Sequence, residues 1–337
     1  MSEVVRGLTE LVERTQDRLK RKSFGLDYLD DALVGIRPSE LVIIAGRTGV
    51  GKTELGVHIA RLNAQKSKVL LVALEAESQE VERRIKYQLI ANKYFAHRAD
   101  FSGVRRLSFT EWLHAEYGDN LDVLEHWASE NLKPYLGNLE IFSPEIAQFK
   151  KSDFCLIYED AAKRGCELVI LDHLHYISPE DRENEYDHMK QVMWKLRDLI
   201  NRYRVPLVAF SHLRKESRKD DTLVPTLEDL HGSSEISKQA NHVIAFAPCY
   251  SVPSRHDPKV QINTLPGSTF CRILKTRTGH IGADRYVALL NFDLESKSYK
   301  PGYVPYACDK FAYGLTALNG EQEFEPWMEG HARLAGA

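Results

Sequence analysis

The clearest chemical signal in this chain is a phosphate-binding motif. Its residues are Gly46, Arg47, Thr48, Gly49, Val50, Gly51, Lys52 and Thr53. They fit the pattern G-x-x-x-x-G-K-[ST], in which glycines let backbone N–H groups turn towards a phosphate. Lys52 supplies a point charge for the β and γ phosphates, and Thr53 offers its hydroxyl to Mg²⁺. The pattern predicts a site for ATP with Mg²⁺, and its alternative is a glycine-rich turn that only packs a strand on a helix.

Two carboxylates follow apolar runs and are candidates for the metal and for water activation. Asp172 ends the run 168–172, so we expect it to bind Mg²⁺, although strands also end in aspartates that cap or turn the chain. Glu75 follows the apolar run 69–74, where a carboxylate indicates a functional role. Glu77 is the alternative candidate for the group that positions water. We favour Glu75 as the catalytic acid.

The elements that must position these residues alternate between short apolar strands and amphipathic helices. We predict strands at 41–45, 69–75, 139–142, 168–172, 206–211, 242–247, 270–275 and 286–292. We predict helices at 52–65, 79–95, 109–127, 152–164 and 186–203. The alternation predicts an α/β fold, a mostly parallel twisted sheet with helices on both faces, which ends in antiparallel strands. The acids then lie at the carboxyl edge, where such sheets bind ligands.

Composition narrows the class of protein. The 337 residues are 43% hydrophobic and 28% charged, which excludes collagen-like and wholly disordered chains. No apolar run approaches the roughly 18 residues that cross a bilayer, so we expect no membrane association. A net charge of −3 excludes a polycationic nucleic-acid coat, and five widely spaced cysteines suit a reducing cytoplasm better than disulfides or a zinc cluster.

Six segments together resemble one family. GRTGVGKT, LEAES, LVILDHLHYI, VPLVAFSHLRK, DLHGSSEISKQANHVI and ILKTRTGHIG follow the order and rough spacing of the motor domain of DnaB-type hexameric replicative helicases. The chain is also similar to the helicase half of phage helicase-primases and to the mitochondrial replicative helicase. The resemblance covers about residues 23–293 and implies a RecA-like P-loop NTPase core.

The resemblance also implies roles for single residues. Glu75 corresponds to the family's catalytic glutamate, Asp172 to its metal aspartate and His212 to its γ-phosphate sensor. Arg277 corresponds to an arginine finger and Lys275 to its companion, both reaching the ATP of a neighbouring subunit. The residues alone allow another interpretation of these two, as solvated charges that alternate along a surface strand.

Single-stranded DNA is the polymer that the resemblance implies, gripped by two loops of the ring. In the second loop we predict DNA contacts from Arg214, Lys215, Arg218, Lys219 and Gly232. The acids Glu216, Asp220 and Asp221 leave open a merely exposed charged loop. The first loop, 179–185, carries four acids to one base, and His231 stands where many relatives carry an arginine. Both departures count against efficient unwinding.

We predict three parts: a linker-like helix at 1–22, a RecA-like ATPase motor domain at 23–300 and a partly flexible C-terminal extension at 301–337. The helix packs either on a neighbouring subunit or within its own chain. We expect none of the family's usual N-terminal or primase modules.

The preferred function is an ATP hydrolase, a DNA-stimulated and ring-forming helicase or translocase that moves on single-stranded DNA. The alternative is a RecA-like ATPase that acts as a nucleotide-switched DNA-binding or loading factor without unwinding. The expected partners are single-stranded DNA, further copies in a hexameric ring, and a primase or loader. The expected location is the cytoplasm of a bacterium or of a phage-infected host.

Overall fold

The computed structural model of the protein describes residues 20–97, 107–114, 121–135, 137–145, 149–179, 184–213, 224–230, 233–254, 256–257, 259–308, 314–318 and 324–328. Most of the predicted helix at 1–22 lies outside these residues. No helix in the described ranges combines the length and the apolar character needed to cross a membrane.

Helices and strands alternate over most of the chain. The helices are α1 (Asp27–Leu33), α2 (Lys52–Ala64), α3 (Ser78–Ala96), α4 (Phe109–Leu113), α5 (Leu121–Leu132), α6 (Lys151–Lys163), α7 (Glu185–Tyr203) and α8 (Ser233–Gln239). The first strands are β1 (Leu41–Gly46), β2 (Val69–Ala73), β3 (Leu139–Phe142), β4 (Leu168–Asp172), β5 (Leu207–His212) and β6 (His242–Pro248). The later strands are β7 (Ser251–Pro253), β8 (Gln261–Asn263), β9 (Ser268–Thr276), β10 (Tyr286–Asp293), β11 (Ser298–Tyr299), β12 (Val304–Cys308) and β13 (Leu315–Ala317).

One mixed sheet organises the described chain, in the order β13-β12-β10-β9-β6-β1-β5-β4-β2-β3. The strands from β6 to β3 are parallel, whereas β9, β10, β12 and β13 pair antiparallel, and β11 adds to β10. The predicted α/β class with a parallel core and antiparallel end is therefore confirmed.

Two apolar cores cover the two faces of the sheet. Along β1, Val42 and Ile44 belong to the core under α2 and α3, while Leu41, Ile43 and Ala45 belong to the core under α6 and α7. Side chains alternate between faces along a strand, so a central strand covered on both sides must be apolar throughout. This explains why the apolar runs in the sequence locate the parallel strands.

The structure adds the short elements α8, β7, β8 and β11 to those predicted, and it differs from the prediction at two further places. The helix predicted at 109–127 is two helices, α4 and α5, separated by residues outside the described ranges. The sheet also continues past residue 300 through β12 and β13, which extend it beside β10. The three-part division of the chain stays a prediction.

Candidate functional site

The phosphate-binding motif forms the turn between β1 and α2. Gly49 and Gly51 have φ values of 87° and 77°, in the left-handed region that favours glycine. At Gly46 an added Cβ would lie 2.9 Å from the Val50 side chain, so the turn leaves no room for one there. The glycines thus keep a narrow backbone cradle, whose tip at Thr48 and Gly49 is exposed.

Lys52 closes this cradle from within. Its Nζ donates to the carbonyl oxygens of Gly46 and Arg47, at 3.0 Å each, and the side chain is buried. Burial lowers the pKa of Lys52, while the carboxylates of Glu75 and Asp172 act to raise it. A triphosphate offers the ammonium stronger acceptors than two neutral carbonyls, so the cradle fits a phosphate chain.

Asp172 and Thr53, the two predicted metal ligands, lie together at the carboxyl edge of the sheet. Asp172 is 3% exposed, and burial raises its pKa to about 6 against a hydrogen bond from Thr53. Its buried Oδ1 has no hydrogen-bond partner among the described residues. An orphaned carboxylate oxygen beside a hydroxyl fits Mg²⁺, which takes few protein ligands and completes its shell with water and phosphate.

Glu75 lies two residues beyond Ala73, which is opposite Asp172 in the register of β2 and β4. Its charge acts on the pKa of Lys52, Asp172 and His212. Glu77, the rival, is the residue before the first turn of α3. The structure therefore brings Glu75 to the cradle.

His212 ends β5 directly opposite Gly46 in the register with β1. Its ring packs against that of His173, with centroids 3.8 Å apart and planes tilted by 33°, and the centroid of the His175 ring lies 5.4 Å from that of His173. Burial lowers the pKa of His212, as does the charge of Lys52. The pKa of the fully buried His173 falls to about 2, first through burial and then through His212 and His175. This ring is therefore neutral at physiological pH.

The sequence interpretation missed His173 and His175. A signal was present in the segment DHLHY, where two histidines follow the metal aspartate at alternate positions. Only the pairing of neighbouring strands shows that their rings cluster with that of His212.

Lys275 and Arg277 lie at the other edge of the sheet. β9 is antiparallel to β6, so its last residue, Thr276, is opposite His242, which is the first residue of β6. His242 in turn pairs with Val42 near the start of β1, whereas the cradle follows the end of β1. The structure therefore separates these two cations from the other predicted site residues of the same chain.

A short hairpin supports the cradle from the C-terminal side, and no sequence pattern predicted this support. The Tyr299 hydroxyl donates to the carbonyl of Val50 at 2.6 Å. The Phe292 ring lies against Gly51, where an added Cβ would approach it to 2.8 Å. Burial raises the pKa of the Tyr299 hydroxyl, which keeps it a donor.

The predicted DNA contacts Arg214, Lys215, Arg218, Lys219 and Gly232 lie outside the described residues, as do His231 and most of the acidic segment 179–185. The chain on either side of this second loop is described. Leu213 and Leu230 form an antiparallel bridge, and the Leu213 N–H donates to the Gly46 carbonyl at 3.4 Å. The segment between them therefore leaves and rejoins the fold beside the cradle.

Comparison with known proteins agrees with this geometry. The family model of the DnaB-like helicase C-terminal domain matches residues 23–99 and 135–299. The chain is 24% identical over 245 residues to the replicative DNA helicase DnaB of Pasteurella multocida, covering 70% of this chain and 48% of that protein. It is 24% identical over 277 residues to a probable plasmid replicative DNA helicase of Chlamydia trachomatis, covering 80% of this chain and 52% of that protein.

Solved structures show the same fold. A DnaB-like replicative helicase, described with its interactions with primase, superposes with a TM-score of 0.65 at 19% identity and covers 88% of this chain and 68% of its own. A second solved structure, an ATPase domain, superposes with a TM-score of 0.61 at 18% identity over 94% of this chain and 100% of its own. The chain spans about half the length of the curated relatives it matches.

Proposed function

This chain belongs to the family of DnaB-like helicase C-terminal domains, and on that premise we propose that it is the ATP-hydrolysing motor of a ring-forming DNA helicase or translocase. The relatives it matches are replicative DNA helicases, which favours this activity over other uses of a phosphate cradle.

One observation carries the proposal: the phosphate cradle and the basic pair Lys275 and Arg277 lie at opposite edges of one sheet. β1 alone contains six residues, which corresponds to about 20 Å of extended strand. A copy therefore cannot place its Arg277 on its own triphosphate, and hydrolysis with this cation needs a second copy. A head-to-tail contact repeated by rotation closes into a ring, and we propose a hexamer.

ATP is the substrate in this scheme, and the cradle residues hold its phosphates. Backbone N–H groups from Gly46 to Thr53 donate to phosphate oxygens, and Lys52 leaves the carbonyls of Gly46 and Arg47 for the β and γ phosphates. Thr53 and Asp172 would hold Mg²⁺, which when bound neutralises charge that develops on the phosphates.

Glu75 orients the attacking water and accepts its proton. Its exposed carboxylate lies where Lys52, Asp172 and His212 feel its charge, which is the position such a base needs. His212 donates a hydrogen bond to the γ phosphate, and the ring of His173 packed against it fixes its orientation. Arg277 and Lys275 of the neighbouring copy stabilise charge on the transferred phosphoryl group.

Single-stranded DNA is the proposed track, bound by Arg214, Lys215, Arg218, Lys219 and Gly232. Their loop is rooted at Leu213 and Leu230 beside Gly46, which supports coupling between DNA and nucleotide. We also propose a primase or loader as a partner, and a cytoplasmic location in a bacterium or phage-infected host.

A strand-displacement assay tests the proposal. Purified protein with ATP and Mg²⁺ should hydrolyse ATP faster with single-stranded DNA and should release a labelled strand from a forked duplex. Stimulated hydrolysis without strand release would instead favour the nucleotide-switched loading factor, which the acids of 179–185 and His231 also support. Absence of any ATP turnover would exclude both functions.

A further inference from the structure

Three basic side chains bond to residues 238–241, at the C-terminal end of α8 and just after it: Lys275 near the end of β9, Arg277 directly after β9, and Arg197 from α7. Lys275 Nζ donates to the carbonyl of Ala240 at 2.9 Å, and Arg277 Nη2 donates to that of Lys238 at 2.6 Å. The last carbonyls of a helix lack partners within the helix and attract cations. The two cations are thus held by uncharged acceptors, which do not neutralise them.

Asn241 ties Arg197 to this group. Its Oδ1 accepts a hydrogen bond from Arg197 Nη1 at 2.6 Å and another from the Leu41 N–H at 3.0 Å. Its own carbonyl accepts from the Arg277 N–H at 3.1 Å. Asn241 therefore links the two residues, because its side chain binds the guanidinium of Arg197 and its backbone carbonyl binds the N–H of Arg277.

The charges of the three side chains act on one another. Burial lowers the pKa of Lys275 to about 8, with further lowering by Arg277 and Arg197. The pKa of Arg197 is lowered by burial and then by Arg277, against the carboxylate of Glu40. Glu40 is itself buried and holds the hydroxyl of Thr278 at 2.6 Å. The group therefore keeps an excess of positive charge at one edge of the sheet.

We propose that Arg197 is a third member of this cation group and that all three side chains serve the triphosphate in the cradle of a neighbouring copy. This inference rests on the proposed function and extends it, because the family resemblance assigned only Lys275 and Arg277. Within the described part of the chain, both hydrogen bonds of the Arg197 guanidinium run through Nη1, to Asn241 and to the Ser39 carbonyl at 3.4 Å. Its Nη2 and Nε sides can therefore face an anion. In this role Arg197 adds positive charge to the group and positions it, while Arg277 remains the arginine finger.

A complementation experiment separates this role from a structural one. Arg197→Gln should lower the kcat for ATP about tenfold with a smaller change in KM, because it weakens charge stabilisation supplied by the next copy. Mixed with Glu75→Gln, it should regain turnover above that of either variant alone. Where the cradle comes from an Arg197→Gln subunit and the cation group from a Glu75→Gln subunit, the shared site has an intact Glu75 and an intact Arg197.

The controls make each outcome decisive. Lys195→Gln removes an exposed cation from the same helix and should keep wild-type turnover. Arg197→Lys keeps the charge and should retain more turnover than Arg197→Gln; equal losses in the two would overturn the electrostatic role. Wild-type turnover in Arg197→Gln, or a loss that mixing does not restore, would also overturn the inference.

Arg277→Gln mixed with Glu75→Gln serves as the reference. If that mixture regains turnover and the Arg197→Gln mixture does not, only the assignment of Arg197 fails. If wild-type protein hydrolyses no ATP, the proposed function itself fails.

Discussion

The two edges of the central sheet solve opposite electrostatic problems. At the carboxyl edge, Lys52 lies among the carboxylates Glu75 and Asp172, so cation and anions moderate one another before any ligand arrives. At the other edge Arg197, Lys275 and Arg277 are bound by carbonyl and amide oxygens. On the proposed function, the first edge binds the triphosphate, whereas the second presents its cations to the triphosphate of a neighbouring copy.

The difference follows from strand direction. Parallel strands carry Gly46, Asp172 and His212 to the same edge, whereas the antiparallel β9 carries its terminal cations the other way. On the proposed function, the reversal of one strand thus divides the catalytic residues into two halves that only two copies can bring together. The following tests attack one edge or the other.

Removing the central cation of the carboxyl edge has the largest expected effect. Lys52→Ala deletes the charge for the β and γ phosphates, so ATP turnover should fall by about a thousandfold or more. Steady-state ATPase assays measure it, with Lys66→Ala as an exposed control. Near-normal turnover in Lys52→Ala would show that the nucleotide binds elsewhere.

Arg277→Ala removes the proposed arginine finger from the opposite edge. The kcat for ATP should fall about a thousandfold, the lower limit for an arginine finger supplied in trans. Binding of a fluorescent ATP analogue to Arg277→Ala should stay close to that of wild type, because the cradle is untouched. Arg202→Ala, which loses only a cation over the Tyr203 ring, is the control. Equal loss of binding and turnover would contradict the separation of the two edges.

The third test concerns the buried carboxylate of the first edge in chelator-treated protein. The pKa of Asp172 is raised from 3.8 to about 6, so the folded protein retains a proton that the unfolded chain releases. Its stabilising contribution is present below about pH 4 and is lost as the pH rises through 6. Asp172→Asn should remove this dependence and raise the free energy of unfolding at pH 8 by up to about 3 kcal/mol.

Urea denaturation at pH 4, 6 and 8 measures this effect. If the free energy of unfolding of Asp172→Asn depended on pH as that of the wild type does, a raised pKa of Asp172 would not be its cause.

The smallest expected effect lies in the support of the cradle. Tyr299→Phe removes the donor to the Val50 carbonyl. ATP binding should weaken by about 1 kcal/mol, so the KM for ATP should rise about fivefold while kcat stays unchanged. Tyr250→Phe, at a residue that is 61% exposed, is the matched control. A fall in kcat instead would mean that the hairpin acts on the chemical step.

The sequence predicted the parallel half of the fold well because buried parallel strands must be apolar throughout. The apolar runs at 41–45 and 168–172 lie within or match buried strands, and the motif between β1 and α2 follows from local spacing. The predicted strand 139–142 also matches β3, although β3 is a partly exposed edge strand that contains Glu140. β11 and β13 have two and three residues, too short for a periodic pattern, and they form because β10 and β12 present edges to them.

Contacts between distant elements were beyond sequence patterns. His173 packs against His212 only because β4 and β5 are neighbours in register. Arg197 looks like any surface arginine of an amphipathic helix until packing brings it to Asn241. In both cases the chemistry depends on pairing between elements that one sequence does not encode locally.

The carbonyl of Gly46 accepts from both Lys52 Nζ and the Leu213 N–H. On the proposed function, the second of these bonds needs no change when the lysine turns to a phosphate, so we expect the root of the loop between Leu213 and Leu230 to stay on the cradle. A stroke delivered to DNA would then come from bending beyond that root or from rotation of the whole subunit. Step size would accordingly be set by the geometry between subunits rather than by travel of the loop's base.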